Sequence, residues 1–402
     1  MSQNNKQKRL LYLDSLKYIF CLIIFWTHFT GVFWTMCEIK PDLRPELQLL
    51  FQPPLSILVD SNLALYGFCI ISGYLASFRK IRSLKELLLQ LMGRYIRFAV
   101  PFFFINIITF VMYYTLGFPT QISSELLHNS WVSTFYSHPY GIDELIMASL
   151  TMDGTLNGPL WMMKYIFGGT CLIYIYNYIR HISSTVMSSN VSAAILHFTD
   201  ASALILMVVS FLFPPEPNFF HLVLVLLGSV MMHLDKFIKE KLKTGGSGTP
   251  VYDLIFMMAA LIPIILDAGG LVNFISPFVH RHFPELLPYF TWNMYWVIGF
   301  SFFIIMGIMN CSFLQKILEP GIMKRLAPTN FSVYLIHFPL ICCLSLKLYI
   351  LMVNRISYSK EFIIIAAATF TALFITAPIY EMTVGKLQNR IIRFLVNALN
   401  RL

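Results

Sequence analysis

Long apolar runs separated by short polar and basic stretches set the pattern of this chain. Ten runs are long enough, or nearly so, to cross about 30 Å of hydrocarbon as helices. They cover 14–36, 56–78, 96–117, 160–178, 194–213, 219–234, 251–267, 289–309, 330–352 and 361–381, the sixth and seventh being the shortest. The pattern predicts an all-α, polytopic membrane helix bundle of about ten transmembrane helices, with both termini on one side. Within such runs an ionisable side chain is costly and marks a working position. The first run, DSLKYIFCLIIFWTHFTGVF, carries Lys17 near its start and His28 in its middle. They are eleven residues apart, almost three turns and about 16 Å along a helix, so they share a face. Asp14 and Cys21 fall on the same stripe.

Composition agrees with a membrane location. The 402 residues are 57% hydrophobic and 12% charged, where soluble domains carry about a quarter charged residues. The first run lacks the short apolar core and small-residue cleavage site of a signal peptide. The formal charge of +9 follows topology. With the N-terminus inside, most Lys and Arg residues outside the runs fall on the cytoplasmic side, the bias expected of short loops. No nucleic-acid partner is implied; the lipid bilayer is. The seven cysteines lie mostly within apolar runs, at no spacing that suggests zinc or a disulfide framework, so no metal is expected. The stretch KEKLKTGGSGTP (239–250) reads as a flexible cytoplasmic linker near 235–250, inside a single domain covering 1–402.

Polar features accompany the first run. Arg94 and Arg97 lie one turn apart at the expected inner end of the third helix, on one face, with Pro101 a turn further on. Two guanidiniums so placed suit a phosphate or diphosphate, although two positive residues at a helix end also satisfy topology alone. Ser72, Gly73 and Tyr74 sit in the inner half of the second run, where small residues favour close helix packing. His337 lies about 10 Å into the ninth helix, placed either to orient His28 or to sit as a satisfied core residue. Lys164 can snorkel to the interface, and Asp60 and Asn62 mark the outer end of the second run. The long segment over 118–159 mixes Glu125, Asp143, Glu144 and Asp153 with Trp131, Phe135, Tyr136 and Tyr140. Such a surface suits a sugar, or forms an interfacial aromatic belt. A second outer loop, about 268–288, carries His280 and His282.

In this order the motifs resemble the integral-membrane acyltransferase-3 family. Its first helix carries a basic residue, ten intervening residues and a histidine, matched by Lys17 and His28. Its third helix opens with Arg-x-x-Arg, matched by Arg94 and Arg97. Its SGY segment is matched by Ser72 to Tyr74, and GPLWMMKYI and SVYLIHFPL look like family blocks. The chain departs from many members in carrying Lys164 where they place a glutamate after the Leu-Trp pair, and the C-terminal esterase-like domain of some members is not expected. The resemblance implies a membrane-bound O-acyltransferase moving an acyl group, acetyl in the usual case, from cytoplasmic acyl-CoA to a hydroxyl of an extracytoplasmic glycan or polysaccharide. It implies a multi-pass protein of a bacterial cytoplasmic membrane, with acyl-CoA as donor substrate and no permanently bound cofactor. His28 is then the catalytic residue, as general base or as transient acyl carrier. Lys17, Arg94 and Arg97 are the acyl-CoA-binding residues, and Asp14, Ser72, Tyr74 and His337 support them. A polysaccharide or lipid-linked glycan exporter would share the helix count and the acidic outer loop, without needing the guanidinium pair.

Overall fold

The computed structural model describes residues 10–38, 48–186, 217–243, 249–270 and 292–399, with isolated positions at 200–209 and 277–281. No strand occurs among them. Most of the fifth expected run, most of the outer loop near 268–288 with His280 and His282, and linker residues 244–248 lie outside the described residues. The long helices are α1 (Leu11–Thr30), α2 (Ser61–Ser77), α3 (Leu84–Thr115), α4 (Met163–Val186), α5 (Phe220–Lys243), α6 (Pro250–Ala268), α7 (Trp292–Asn310), α8 (Asn330–Leu340), α9 (Tyr358–Tyr380) and α10 (Lys386–Leu399).

Among the described residues six helical stretches are long and apolar enough to cross a membrane. They are Leu11–Thr35, Leu84–Thr115, Phe220–Lys241, Pro250–Ala268, Met323–Met352 and Tyr358–Ala398. A seventh is formed if the pair Met294–Asn310 and Ser312–Leu318, bent by 96°, counts as one. Two of the ten expected spans are helical but fall short of that length or apolar character. Helix α2 has 17 residues, about 26 Å of rise. Helix α4 carries Lys164, Asn177 and Arg180 within its length, which lowers its apolar character.

Two boundaries differ from the sequence reading. Helix α3 starts at Leu84, capped by the Ser83 hydroxyl accepting from the Glu86 N–H, so Arg94 and Arg97 lie ten or more residues inside it. Pro101 is therefore interior. The hydrogen bond it cannot donate is the one to the Arg97 carbonyl, four residues back. The Gln388 side chain donates to that carbonyl at 3.2 Å instead. Helix α5 runs to Lys243, through the first part of the expected linker. The reason is local: Lys239 meets Asp235 one turn earlier at 2.8 Å, and Lys and Glu are good helix formers.

Helices α2 and α5 make the most extensive helix contact, because both present glycine there. A Cβ on Gly73 would stand 1.7 Å from the Val225 carbonyl oxygen, and one on Gly228 would stand 2.1 Å from that of Ile70. Only a missing side chain allows backbones this close. A buried network anchors the same junction. Asp235 accepts from the Tyr74 hydroxyl at 3.0 Å and from Asn310 Nδ2 at 3.0 Å, and Asn310 Oδ1 accepts from the Tyr252 hydroxyl at 2.9 Å. Ser72 donates back to the Phe68 carbonyl of its own helix, at 2.8 Å. The SGY segment thus joins α2 to α5 and α7.

The centre of the bundle is formed by α1 and α8. Of their most apolar stretches 61% of residues are buried inside the protein, against 22% for α6. Both are interrupted by a π turn, Gly31–Thr35 after α1 and Ile341–Ser345 after α8. Such single-turn bulges are frequent at working sites. Here they follow the two histidine-bearing segments.

Candidate functional site

His28 and His337 meet at the α1–α8 contact. His28 Nδ1 is 2.9 Å from His337 Nε2, and the rings lie nearly parallel, 9° apart, with centroids 5.1 Å apart. His337 is fully buried, whereas His28 is half-buried. The other nitrogen of His337, Nδ1, is 2.7 Å from the Tyr334 carbonyl oxygen. A carbonyl only accepts, so His337 Nδ1 carries the proton and, in the neutral ring, Nε2 offers a lone pair. His28 Nδ1–H then donates to it. The tautomer of His28 is thereby fixed, and its Nε2 holds the unshared pair. The chain from the Tyr334 carbonyl through His337 to His28 thus leaves the unshared pair on the half-buried ring and sets the fully buried ring behind it.

Packing holds both rings in place. Phe338 meets His28 edge-on at 5.6 Å and Phe25 meets His337 edge-on at 6.4 Å. Trp131 lies over His28, 21° from parallel at 6.4 Å. It comes from the segment over 118–159, which is not an open loop but folds into short helices over Thr120–Leu127, Ser130–Ser133 and Ile142–Thr151. Asn129 fixes this segment to α1. Its amide donates to the Gly31 and Val32 carbonyls at 3.0 and 2.8 Å, two buried acceptors at the π turn. Asn157 performs the same service on α8. Its amide donates at 2.8 Å to the Leu335 carbonyl, the acceptor that Pro339 leaves without its helical donor.

At the end of the bundle where α3 begins, Arg94 Nε donates to the Thr170 hydroxyl at 3.2 Å and its guanidinium covers the Phe98 ring at 4.8 Å. Phe98 in turn meets Phe331 of α8 edge-on at 5.8 Å. Phe331 is six residues before His337, about 9 Å of helix. Arg94 is half-buried and Arg97 exposed. Lys17 pairs with Asp14 at 2.7 Å, which couples these two predicted residues to each other. Lys164 lies exposed, 4.9 Å from the Tyr165 ring. No group of His, Cys, Asp and Glu among the described residues is arranged to hold a metal ion.

The apolar groove between α3, α8 and α9, about 530 Å³ and lined by residues such as Ile105, Ile336, Pro339, Leu340 and Tyr380, contains neither histidine. It suits hydrocarbon, not a charged donor. Of the residues predicted from sequence, the structure brings His28 to His337 and Lys17 to Asp14. It places Tyr74 and Ser72 in helix packing. Asn129, Asn157 and the stacking of Trp131 on His28 were not foreseen. Pro339 in the sequence was the one available signal, since a mid-helix proline demands a substitute donor.

No curated protein matches the chain, and no solved structure does. A family model described as an acyltransferase domain matches residues 10–381, more than nine-tenths of the chain. This chain therefore belongs to the acyltransferase-3 family of membrane acyltransferases.

Proposed function

We propose that the protein transfers an acyl group, acetyl in the simplest case, from cytoplasmic acyl-CoA to a hydroxyl of an extracytoplasmic glycan or polysaccharide. Arg94 and Arg97 bind the donor phosphates as bidentate guanidiniums. The pantetheine arm then runs along the inner part of α1, past the Lys17–Asp14 pair, towards His28. The observation that carries the reading is the histidine pair, with a lone pair on a half-buried ring and its tautomer set from behind.

His28 Nε2 accepts the proton of the acceptor hydroxyl as its oxygen attacks the thioester carbon. The bond to sulfur breaks, and the thiolate leaves with the proton that Nε2 took. The imidazolium formed between these steps keeps its Nδ1–H on His337 Nε2. The same lone pair serves if His28 carries the acyl group itself: Nε2 attacks the thioester carbon and the thiolate leaves, then the hydroxyl attacks the acyl-imidazolium, the C–N bond breaks back onto Nε2, and the hydroxyl proton passes to the thiolate. Trp131 presents an aromatic face beside the ring on the far side, a surface that suits the C–H face of a sugar.

The test is transfer of labelled acetyl from acetyl-CoA to extracted glycan, with wild-type protein and His28→Ala in matched membranes. Loss of at least about 10²-fold in the variant is expected, the usual contribution of a positioned acid–base group. A His28→Ala protein as active as wild type removes His28 from the chemistry.

A further inference from the structure

Arg79 follows the end of α2 and is exposed. Its backbone is held by α4: Asn177 Nδ2 donates to the Arg79 carbonyl at 3.1 Å and to the Ser77 carbonyl at 3.4 Å. The Arg94 guanidinium is held by the same helix through Thr170. Thr170, Tyr174 and Asn177 are spaced four and three residues apart, so they form one stripe. One helix face thus fixes the Arg94 side chain and the Arg79 backbone about 10 Å apart along its axis. Arg79 is also close enough to Arg94 and Arg97 for its charge to act on both.

None of the three guanidiniums has a carboxylate within ion-pair distance among the described residues, whereas Lys17, Lys239 and Arg180 each do. Three like charges gathered without a counter-charge favour a polyanion, and one whose charges are spread over about 10 Å. Their depth is graded. Arg79 lies in the connection before α3, and Arg94 lies ten residues inside that helix. Coenzyme A has a matching order: a dianionic 3′-phosphate at its nucleotide end, a diphosphate next, and an uncharged pantetheine arm leading inward.

We propose that Arg79 is a specificity-determining residue that binds the 3′-phosphate of the coenzyme A donor, while Arg94 and Arg97 take the diphosphate. The inference rests on the donor assignment under Proposed function. Arg79 then selects coenzyme A over thioesters that lack the 3′-phosphate, such as those on carrier-protein phosphopantetheine.

Binding of coenzyme A and of 3′-dephospho-coenzyme A to the full-length protein in lipid nanodiscs, by titration calorimetry, tests this without an acceptor. Wild type is expected to bind coenzyme A about tenfold or more tighter, from the loss of one charge-assisted contact in the dephospho form. Arg79→Gln is expected to bind both at the dephospho level, and Arg79→Lys to restore part of the preference. Equal affinity of wild type for the two ligands overturns the inference. So does an Arg79→Gln change that weakens both alike, the outcome of a merely structural role. Wild type that binds neither ligand instead removes the donor assignment itself.

Discussion

Replacing His337 by leucine isolates what the second histidine does. The change removes the lone pair that His28 Nδ1–H meets at 2.9 Å and the N–H that the Tyr334 carbonyl meets at 2.7 Å. In the proposed chemistry the first loss matters most when His28 is positively charged. A hydrogen bond from a charged donor contributes about 1.5–3 kcal/mol. At about 1.4 kcal/mol per factor of ten, kcat falls roughly 10- to 150-fold. The KM for acyl-CoA is expected to stay within about twofold of wild type, because His337 touches none of the guanidiniums that would bind the donor. His337→Gln separates this role from simple packing. Its amide oxygen reaches the position of Nε2 and accepts from His28, so it should recover most of the lost kcat. Steady-state transfer from labelled acetyl-CoA in matched membranes, with donor binding as the measure of folding, reads all three. The reasoning is refuted if the leucine variant keeps wild-type kcat, or if the glutamine variant is as impaired as the leucine one.

Gly73→Ala should lower thermal stability in detergent by an amount equivalent to about 1–3 kcal/mol or more. The added methyl meets backbone at 1.7 Å, while Gly299→Ala, with nothing within 4 Å, should melt as wild type; equal melting of the two would rule out the close α2–α5 crossing. At the start of Ile142–Thr151, Glu144 accepts from the Gly141 N–H at 2.8 Å and faces His138 at 3.2 Å. These contacts, the backbone bond first, hold its carboxyl below the usual glutamate range. A depressed carboxyl contributes its cap fully above the unfolded value near 4.5 and loses it as pH falls below that. Amide exchange at Gly141 should therefore be slower in wild type than in Glu144→Gln at pH 7, with the difference closing in acid; a difference unchanged down to pH 3 would refute the capping role.

Much of this arrangement was legible from residue order. A histidine in the middle of a membrane-length apolar run has few structural excuses, so His28 stood out. Lys17 and Asp14, one helical turn apart, needed only the helix period to be paired. The partner of His28 was less accessible, because His337 is 309 positions away and its register against α1 depends on packing across the bundle. The span count was blurred by α2 and α4, where close glycine contacts and polar side chains facing neighbours replace simple lipid exposure. The start of α3 was misplaced because Pro101 reads as a boundary. The Ser83-x-x-Glu86 helix start upstream was the local signal for the true boundary, and the distant Gln388 amide supplies the donor that Pro101 lacks. Trp131 was visible as one aromatic among several, but nothing in the sequence distinguished it as the one stacked on His28.

The amide of Asn157 on the Leu335 carbonyl has a bearing on how the chain is assembled. Asn157, near the end of the segment over 118–159, is synthesised well before α8, and its amide can meet the Leu335 carbonyl only once that helix is made. Until the two dock, α8 has an unfilled acceptor two residues from His337. Completion of the backbone and arrival of the second imidazole are thus the same event, so a half-built bundle cannot present a finished histidine pair.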